Sequence, residues 1–189
     1  MPLIILTLAY LIGSFPTAFL LVFALRGQDI RRLGDCNMGA QNTWRQVSPC
    51  AGLIVGLVDG LKGALIILIT RHFLPGQNWI FLAGLAGVTG HNWPIFAGFR
   101  GGRGEATTIG IFTILMPIPM LLAGVLGIST LGATHSVTRA SAPLFIALPV
   151  FCWYLTHSPP IVAYSILLPC LVALTTFWRV RRRRVVRVT

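Results

Sequence analysis

The sequence predicts an all-α polytopic membrane protein with about seven transmembrane or half-spanning helices. Three observations carry that expectation. The 189 residues are 55% apolar and only 10% charged, whereas a soluble domain carries about a quarter charged residues. The mean hydropathy is +0.80. The apolar residues lie in long uninterrupted runs, several of them long enough to cross ~30 Å of hydrocarbon as a helix. Lipid offers no hydrogen-bond partners, so each run must satisfy its own backbone, and a helix does that.

Six hydrophobic segments stand out, at 3–25, 50–70, 79–99, 107–132, 142–156 and 160–178. The fifth is the shortest. The first lacks a basic leader and is too long for a signal-peptide core, so it reads as a retained first span. No internal repeat or low-complexity linker is visible. Residues 1–178 read as a single transmembrane helical domain, and 179–189 as a basic cytoplasmic tail.

Charge sets the expected orientation. No charged side chain occurs in the first ten residues, while Arg26, Arg31, Arg32 and Arg45 follow the first span. Positive residues near span ends mark the cytoplasmic side, which puts the N-terminus outside. Arg179, Arg181, Arg182, Arg183, Arg184 and Arg187 put the C-terminus in the cytoplasm. That path needs an odd number of crossings, yet six segments are visible. Either a seventh short helix is hidden or one segment only dips into the membrane. The places for it are 37–47, polar but able to line a cavity, and the Pro117/Pro119 break in the fourth segment.

Fifteen Lys and Arg against four Asp and Glu give a formal net charge of +11. Such an excess suits nucleic acid or anionic lipid. Its concentration beside a hydrophobic segment points to the anionic headgroups of a bilayer, not to nucleic acid. Cys36, Cys50, Cys152 and Cys170 form no C-x-x-C pair, which argues against a disulfide framework or a zinc site.

Four stretches carry chemistry. In D59-G-L-K62, an Asp and a Lys three residues apart share a helix face and can pair. Ionisable groups inside a span are expensive and are usually kept for function; the plain reading is a structural ion pair. In G34-D-C-N-M-G-A-Q-N-T-W-R45, Asn37, Gln41 and Asn42 offer amides beside Gly39. Arg45 offers a planar fork suited to phosphate or carboxylate; an ordinary polar loop is the plain alternative. His91, in G90-H-N-W-P-I-F96, is either a hydrogen-bonded structural residue or an acid/base group. Then comes F99-R-G-G-R-G-E-A106. Gly101, Gly102 and Gly104 let the backbone close around a ligand with N–H groups turned inward. Arg100 and Arg103 add charge, and a helix opening near Ala106 favours an anion. Nest, arginine pair and helix start converge on phosphate. The run is neither a Walker loop nor a dinucleotide turn, since it has no G-K-[ST] ending and no preceding strand. A fifth polar stretch, Thr134 to Ser141, reads as a hydroxyl-rich loop between two segments that could line the same cavity.

Taken together, G13-S-F-P16, the N-M-G-A-Q-N-T-W-R run, V58-D-G-L-K-G63 and G90-H-N-W-P-I-F-A-G-F-R-G-G-R-G-E-A-T107 resemble, in this order, the bacterial acyl-phosphate:glycerol-3-phosphate acyltransferases. The resemblance spans residues 10 to 145 or so. It implies a small inner-membrane enzyme of phospholipid synthesis that acts on acyl phosphate and glycerol 3-phosphate, with no metal and no cofactor. It implies that Arg45, Arg103 and Arg100 bind substrate phosphate and that Asn37, Gly39, Asn42, Gly101, Gly102 and Gly104 shape the pocket. It also makes His91 and Ser141 catalytic candidates; Asp35 is a third, as a base toward a hydroxyl, and Asp59 and Lys62 are the supporting pair. A monomer is expected.

Several positions depart from the family pattern. Asp35 stands where the family has serine, Cys36 where it has glycine, and Gln41 where it has threonine. Arg100 and Arg103 replace two lysines, and Glu105 replaces a valine. Thr138 and Ser141 match a serine pair. F177-W-R-V-R-R-R-R184 has no counterpart to the family's His-x-x-Asn segment. An Asp beside Arg103 or Arg45 would pair internally and weaken anion binding, or act as a base toward a hydroxyl. The alternative expectation is an altered member that binds an anionic lipid or another phosphate-bearing acceptor without this turnover.

Overall fold

Proline, glycine and small polar residues set where each helix begins and stops. The structure, a computed structural model, describes residues 1–186 and side chains as far as Arg179. Nine α-helices and two short 3₁₀ turns make up the described residues, with no strand among them. The first apolar run is broken at Phe15–Pro16 into α1 (Pro2–Ser14) and α2 (Thr17–Arg26), which stops at Gly27 in the left-handed region (φ 64°). A polar segment leads to α3 (Ala40–Gln46). Helix α4 (Pro49–Phe73) starts with proline in its first turn and with the Ser48 hydroxyl accepting the Ala51 N–H at 3.1 Å, which satisfies an orphan donor. Then follow α5 (Gln77–Asn92), α6 (Glu105–Leu115), α7 (Pro117–Thr134), α8 (Val137–Thr156) and α9 (Pro159–Val186).

Five stretches are long and apolar enough to cross a membrane: Pro2–Arg26, Pro49–Phe73, Pro117–Thr134, Val137–Thr156 and Pro159–Arg179. Leu57, Leu61, Ile128 and Ile146 are exposed on these helices, an arrangement that only a lipid surround makes favourable. The chain is a multi-pass membrane protein.

The contacts also give each leg its direction. The turn after α1 and the end of α5 meet, because Thr17 and His91 both approach Asp59. Ile66, two turns further along α4, packs on Ala9 and Ala83. So α1 and α5 run together and α4 runs against them. Arg103, just before α6, bonds Thr138 in the first turn of α8, and its carbonyl accepts from Thr175 near the end of α9. The start of α6 therefore lies at the same pole as the end of α7, and segment 107–132, read as one span, is two opposed helices. Met116 and Pro117 are the turn. The stretch 37–47, the other place considered for an extra helix, contains α3, but at seven residues it rises only ~10 Å.

One further expectation is corrected. The weak fifth segment gains length because Val137–Ser141, read as loop, forms the first turns of a twenty-residue α8. Helix α9 continues to Val186. The side chains of 180–189, on which most of the headgroup reading rests, lie outside the described residues.

Helices α5 and α6 are short for a reason. Gly60, midway along α4, packs on Gly110 and faces Ala106, so α6 starts at the middle of α4 and not at its end. Asn92, the end of α5, lies at the same level. The connecting residues 93–104 thus occupy the middle depth of the bundle. The apolar core (Ile67, Ile111, Phe112, Leu148, Tyr164, Leu168) fills the opposite half. The close approach of α4 and α6 needs glycine: a Cβ on Gly110 would lie 1.9 Å from the Gly60 carbonyl oxygen, and one on Gly63 would lie 2.1 Å from that of Thr107. Gly110→Ala is therefore expected to cost about 1–3 kcal/mol through overpacking; thermal unfolding of the detergent-solubilised protein measures it, and an unchanged midpoint would contradict the close packing.

Candidate functional site

Three breaks in the helical order converge at mid-depth, and a buried ion pair joins them. Asp59 and Lys62 lie on one face of α4 and pair at 2.7 Å, both almost wholly buried. Asp59 Oδ1 also accepts the Thr17 hydroxyl at 3.0 Å, and Lys62 Nζ donates to the Phe15 carbonyl at 2.8 Å. The break between α1 and α2 frees that carbonyl, and in lipid a freed carbonyl needs a donor. His91 Nδ1 stands 3.9 Å from Asp59 Oδ1.

His91 supports the glycine stretch from below. A Cβ on Gly102 would meet His91 Nε2 at 2.1 Å, and one on Gly101 would meet the His91 carbonyl oxygen at 2.0 Å. Only glycine permits that contact. The Gly101 N–H donates to the Asn92 carbonyl (3.2 Å) and the Gly102 N–H to that of His91 (3.1 Å). These two N–H groups hold the loop to α5 and are not turned toward a ligand, which corrects the expected nest. Gly104, in the left-handed region (φ 86°), caps α6.

Above this floor lies a small cavity of ≈ 50 Å³, walled by Asn37, Gly39, Gln41, Asp59, His91, Arg103, Gly104 and Glu105 among others. Arg103 reaches two partners: Nη1 donates to the Thr138 hydroxyl at 3.2 Å and Nη2 to Asp35 Oδ2 at 2.9 Å. The Thr138 hydroxyl donates in turn to Gln41 Oε1 at 3.3 Å. Arg103 Nε and Asn37 Oδ1 are buried without a partner among the described residues. Buried polar atoms left unpaired are costly and mark places where a ligand or water completes the set.

On the other side of the glycine stretch is a larger cavity of ≈ 580 Å³. Trp93, Phe99, Leu171, Leu174 and Trp178 form its apolar wall, with Arg31, Arg100 and Arg179 at its edge. Arg31 pairs with Asp29 at 2.8 Å and donates to the Ala97 carbonyl at 2.8 Å; its hydrogen bond holds the Asp29 carboxyl below the usual carboxylate range. Arg179 donates to the carbonyls of Gly101 and Asn92. The glycine stretch thus has a small polar cavity on one side, at Gly104, and a larger, partly apolar one on the other, at Gly101.

A model of the glycerol-3-phosphate acyltransferase family matches residues 3–187. The chain belongs to that family. It is 45% identical over 186 residues to glycerol-3-phosphate acyltransferase 4 of Dehalococcoides mccartyi, covering 97% of this chain and 100% of that one. It is 34% identical to glycerol-3-phosphate acyltransferase of Geobacter sulfurreducens, covering 96% and 93%. The fold matches the crystal structures of PlsY (YgiH), an integral membrane glycerol 3-phosphate acyltransferase. The TM-score is 0.85 for the glycerol 3-phosphate form and 0.82 for the lysophosphatidic acid form, each at 28% identity over 98% of this chain and 93% of the other.

Within this acyltransferase fold, the expected site residues separate into groups. Asn37, Gly39, Asp59, His91, Arg103 and Gly104 share the small cavity. Arg100 and Gly101 wall the large one. Asn42 is buried and organises the loop: its Nδ2 donates to the carbonyls of Ile30, Leu33 and Asn37, and its Oδ1 accepts the Asp35 N–H. Those bonds leave it no donor for phosphate. The Ser141 hydroxyl donates to the Thr138 carbonyl at 3.1 Å and lines neither cavity; of the hydroxyl pair, Thr138 enters the site. Arg45 is exposed on α3 one turn beyond Gln41, outside both cavity walls.

Thr17, the Phe15 carbonyl and Arg179 were not anticipated as site residues. The proline at 16 inside an apolar run was the available signal for the first two. Arg179 was read with the tail, and nothing in the sequence ties it to a loop 78 residues away. Lys62→Met should leave Asp59 charged and unpaired and destabilise the protein by about 3–5 kcal/mol. Asp59→Asn with Lys62→Met should recover part of that loss. Thermal unfolding of the single and double variants measures both, and additive losses would refute the coupling.

Proposed function

We propose that this chain transfers an acyl group from acyl phosphate to the 1-hydroxyl of glycerol 3-phosphate, producing lysophosphatidate at the cytoplasmic face of a bacterial inner membrane. The observation that carries this reading is the pair of cavities on either side of residues 101–103. The small one joins Arg103, Asn37 and the start of α6, which suit the acceptor's phosphate. The large one joins arginines to an apolar wall, which suits a phosphate bearing a hydrocarbon chain. Family membership supports the acceptor, and the relatives' names state it for those proteins.

The chemistry asks little of the protein beyond placement. Acyl phosphate is a mixed anhydride with an activated leaving group. The acceptor oxygen attacks the acyl carbon, the acyl C–O bond to phosphate breaks, and inorganic phosphate leaves. Overall the hydroxyl proton passes to phosphate or water. Holding both substrates in register lowers the barrier by proximity, and guanidinium groups offset the charge on the departing phosphate. His91, buried beneath Gly102, acts by holding the loop. The seven alternating legs are read as starting outside and ending in the cytoplasm, in keeping with the arginine distribution.

One observation favours the second reading, ligand binding without turnover. Asp35 already occupies Arg103, and the cavity beside them is small. A single assay separates the two. Purified protein given acyl phosphate and glycerol 3-phosphate should release inorganic phosphate and form lysophosphatidate in equal amounts. Binding of glycerol 3-phosphate with no product would select the second reading. Arg103→Ala should lower kcat/KM by about 100-fold or more, the size seen when one donor to a developing anion is removed; an unchanged value would remove Arg103 from the site.

A further inference from the structure

Asp35 holds a position that an anion-binding site would not be expected to give a carboxylate. Its Oδ2 accepts from Arg103 Nη2 at 2.9 Å, and its Oδ1 accepts the Asn37 N–H at 3.1 Å. Its own N–H is held by Asn42 Oδ1 at 3.2 Å. The carboxylate is thus bonded at both oxygens to residues that line the small cavity, Arg103 and Asn37. Among the described residues, Arg103 is the one Lys or Arg that lines this cavity. Nη2 is on Asp35 and Nη1 on Thr138, so both ends of its fork already hold a partner.

The cavity left behind this pair is ≈ 50 Å³, whereas small-molecule sites run to roughly 300–1,000 Å³. A phosphate-bearing ligand does not fit without movement. The backbone on either side of Asp35 is strained. Gly34 (φ 52°) and Cys36 (φ 51°) flank it in the left-handed region, which costs a residue with a Cβ such as cysteine free energy. The Asp35 side chain is 39% exposed, while that of Arg103 is only 12% exposed. When the pair opens, the carboxylate can turn to water while the guanidinium stays in place.

We propose that Asp35 is an internal competitor of the acceptor phosphate: it neutralises Arg103 until a phosphate displaces it. The proposal rests on the reading that Arg103 holds that phosphate. It makes Asp35 the residue that sets acceptor affinity. A phosphate must break the Asp35–Arg103 pair to enter, so this chain binds its acceptor more weakly than its cation alone would. It also favours ligands with enough negative charge to win the exchange, such as a phosphate monoester dianion over a monoanionic diester.

The test uses the full chain in detergent or nanodiscs, with inorganic phosphate and glycerol 3-phosphate as calorimetric probes. Asp35→Asn removes the charge and keeps an oxygen for the Asn37 N–H. It should bind both probes roughly threefold to tenfold more tightly, the range of one partly exposed ion pair, and KM for glycerol 3-phosphate should fall by the same factor. Asp35→Glu keeps the charge and should stay near the parent. Asp35→Asn combined with Arg103→Ala should show no gain over Arg103→Ala alone, which a merely structural role for Asp35 would not require. Asp35→Ser repeats the test should the Asn variant misfold. Equal or weaker phosphate binding by a folded, neutral variant would overturn the proposal. If the probes bind as expected but no acyl phosphate is consumed, the competitor role stands and the transferase reading fails. If turnover proceeds without any gain in Asp35→Asn, the reverse holds.

Discussion

The buried contact between Asp59 and Lys62 is what the rest of the site depends on. Two charges inside a helix bundle are costly to bury, and attraction between them does not by itself offset that cost. The further hydrogen bonds make the difference. Lys62 gives its remaining reach to the Phe15 carbonyl, and Asp59 takes the Thr17 hydroxyl. In this way the pair satisfies the backbone exposed where α1 stops and α2 starts. It also sets Asp59 near His91, which lies beneath Gly102. One interaction on α4 therefore reaches the helix break, the end of α5 and the floor of the small cavity.

The same economy governs the loops. A segment at mid-depth must find partners for its N–H and C=O groups within the protein. Residues 93–104 do so by bonding back to α5 through Gly101 and Gly102 and by receiving Arg179 from α9. Glycine is needed there less for flexibility than for closeness, because any side chain would collide with His91. The loop is thus held from below by a histidine and from the side by an arginine. It forms a thin wall with a cavity on each face.

Charge placement decides what that wall can bind. The chain has four acids, and three of them sit in ion pairs: Asp29 with Arg31, Asp35 with Arg103, and Asp59 with Lys62. Each pairing determines whether a cation serves the fold or remains open to an anion. Arg31 and Lys62 hold backbone carbonyls as well, so they serve the fold. Arg103 holds only side chains, so its commitment can be exchanged. That difference is why Arg103 is the cation we propose for the acceptor phosphate.

Hydropathy and charge by themselves determined the membrane class, the helical content and the approximate place of each span, because lipid leaves a chain few other options. They also determined the family, since long motifs such as G90-H-N-W-P-I-F and D59-G-L-K62 stand close together in order. Only the tertiary structure decided that segment four is two opposed helices, because a turn at Met116–Pro117 shows in which helices it packs on and not in its hydropathy. Only it decided that Asn42 builds the loop, that Thr138 and not Ser141 reaches Arg103, and that Asp35 closes on the same arginine. Those are contacts between residues as far as 68 positions apart. Local pattern carries no information about them; they exist because close packing, as of Gly60 on Gly110 and Gly13 on Gly87, brings distant segments of the chain together.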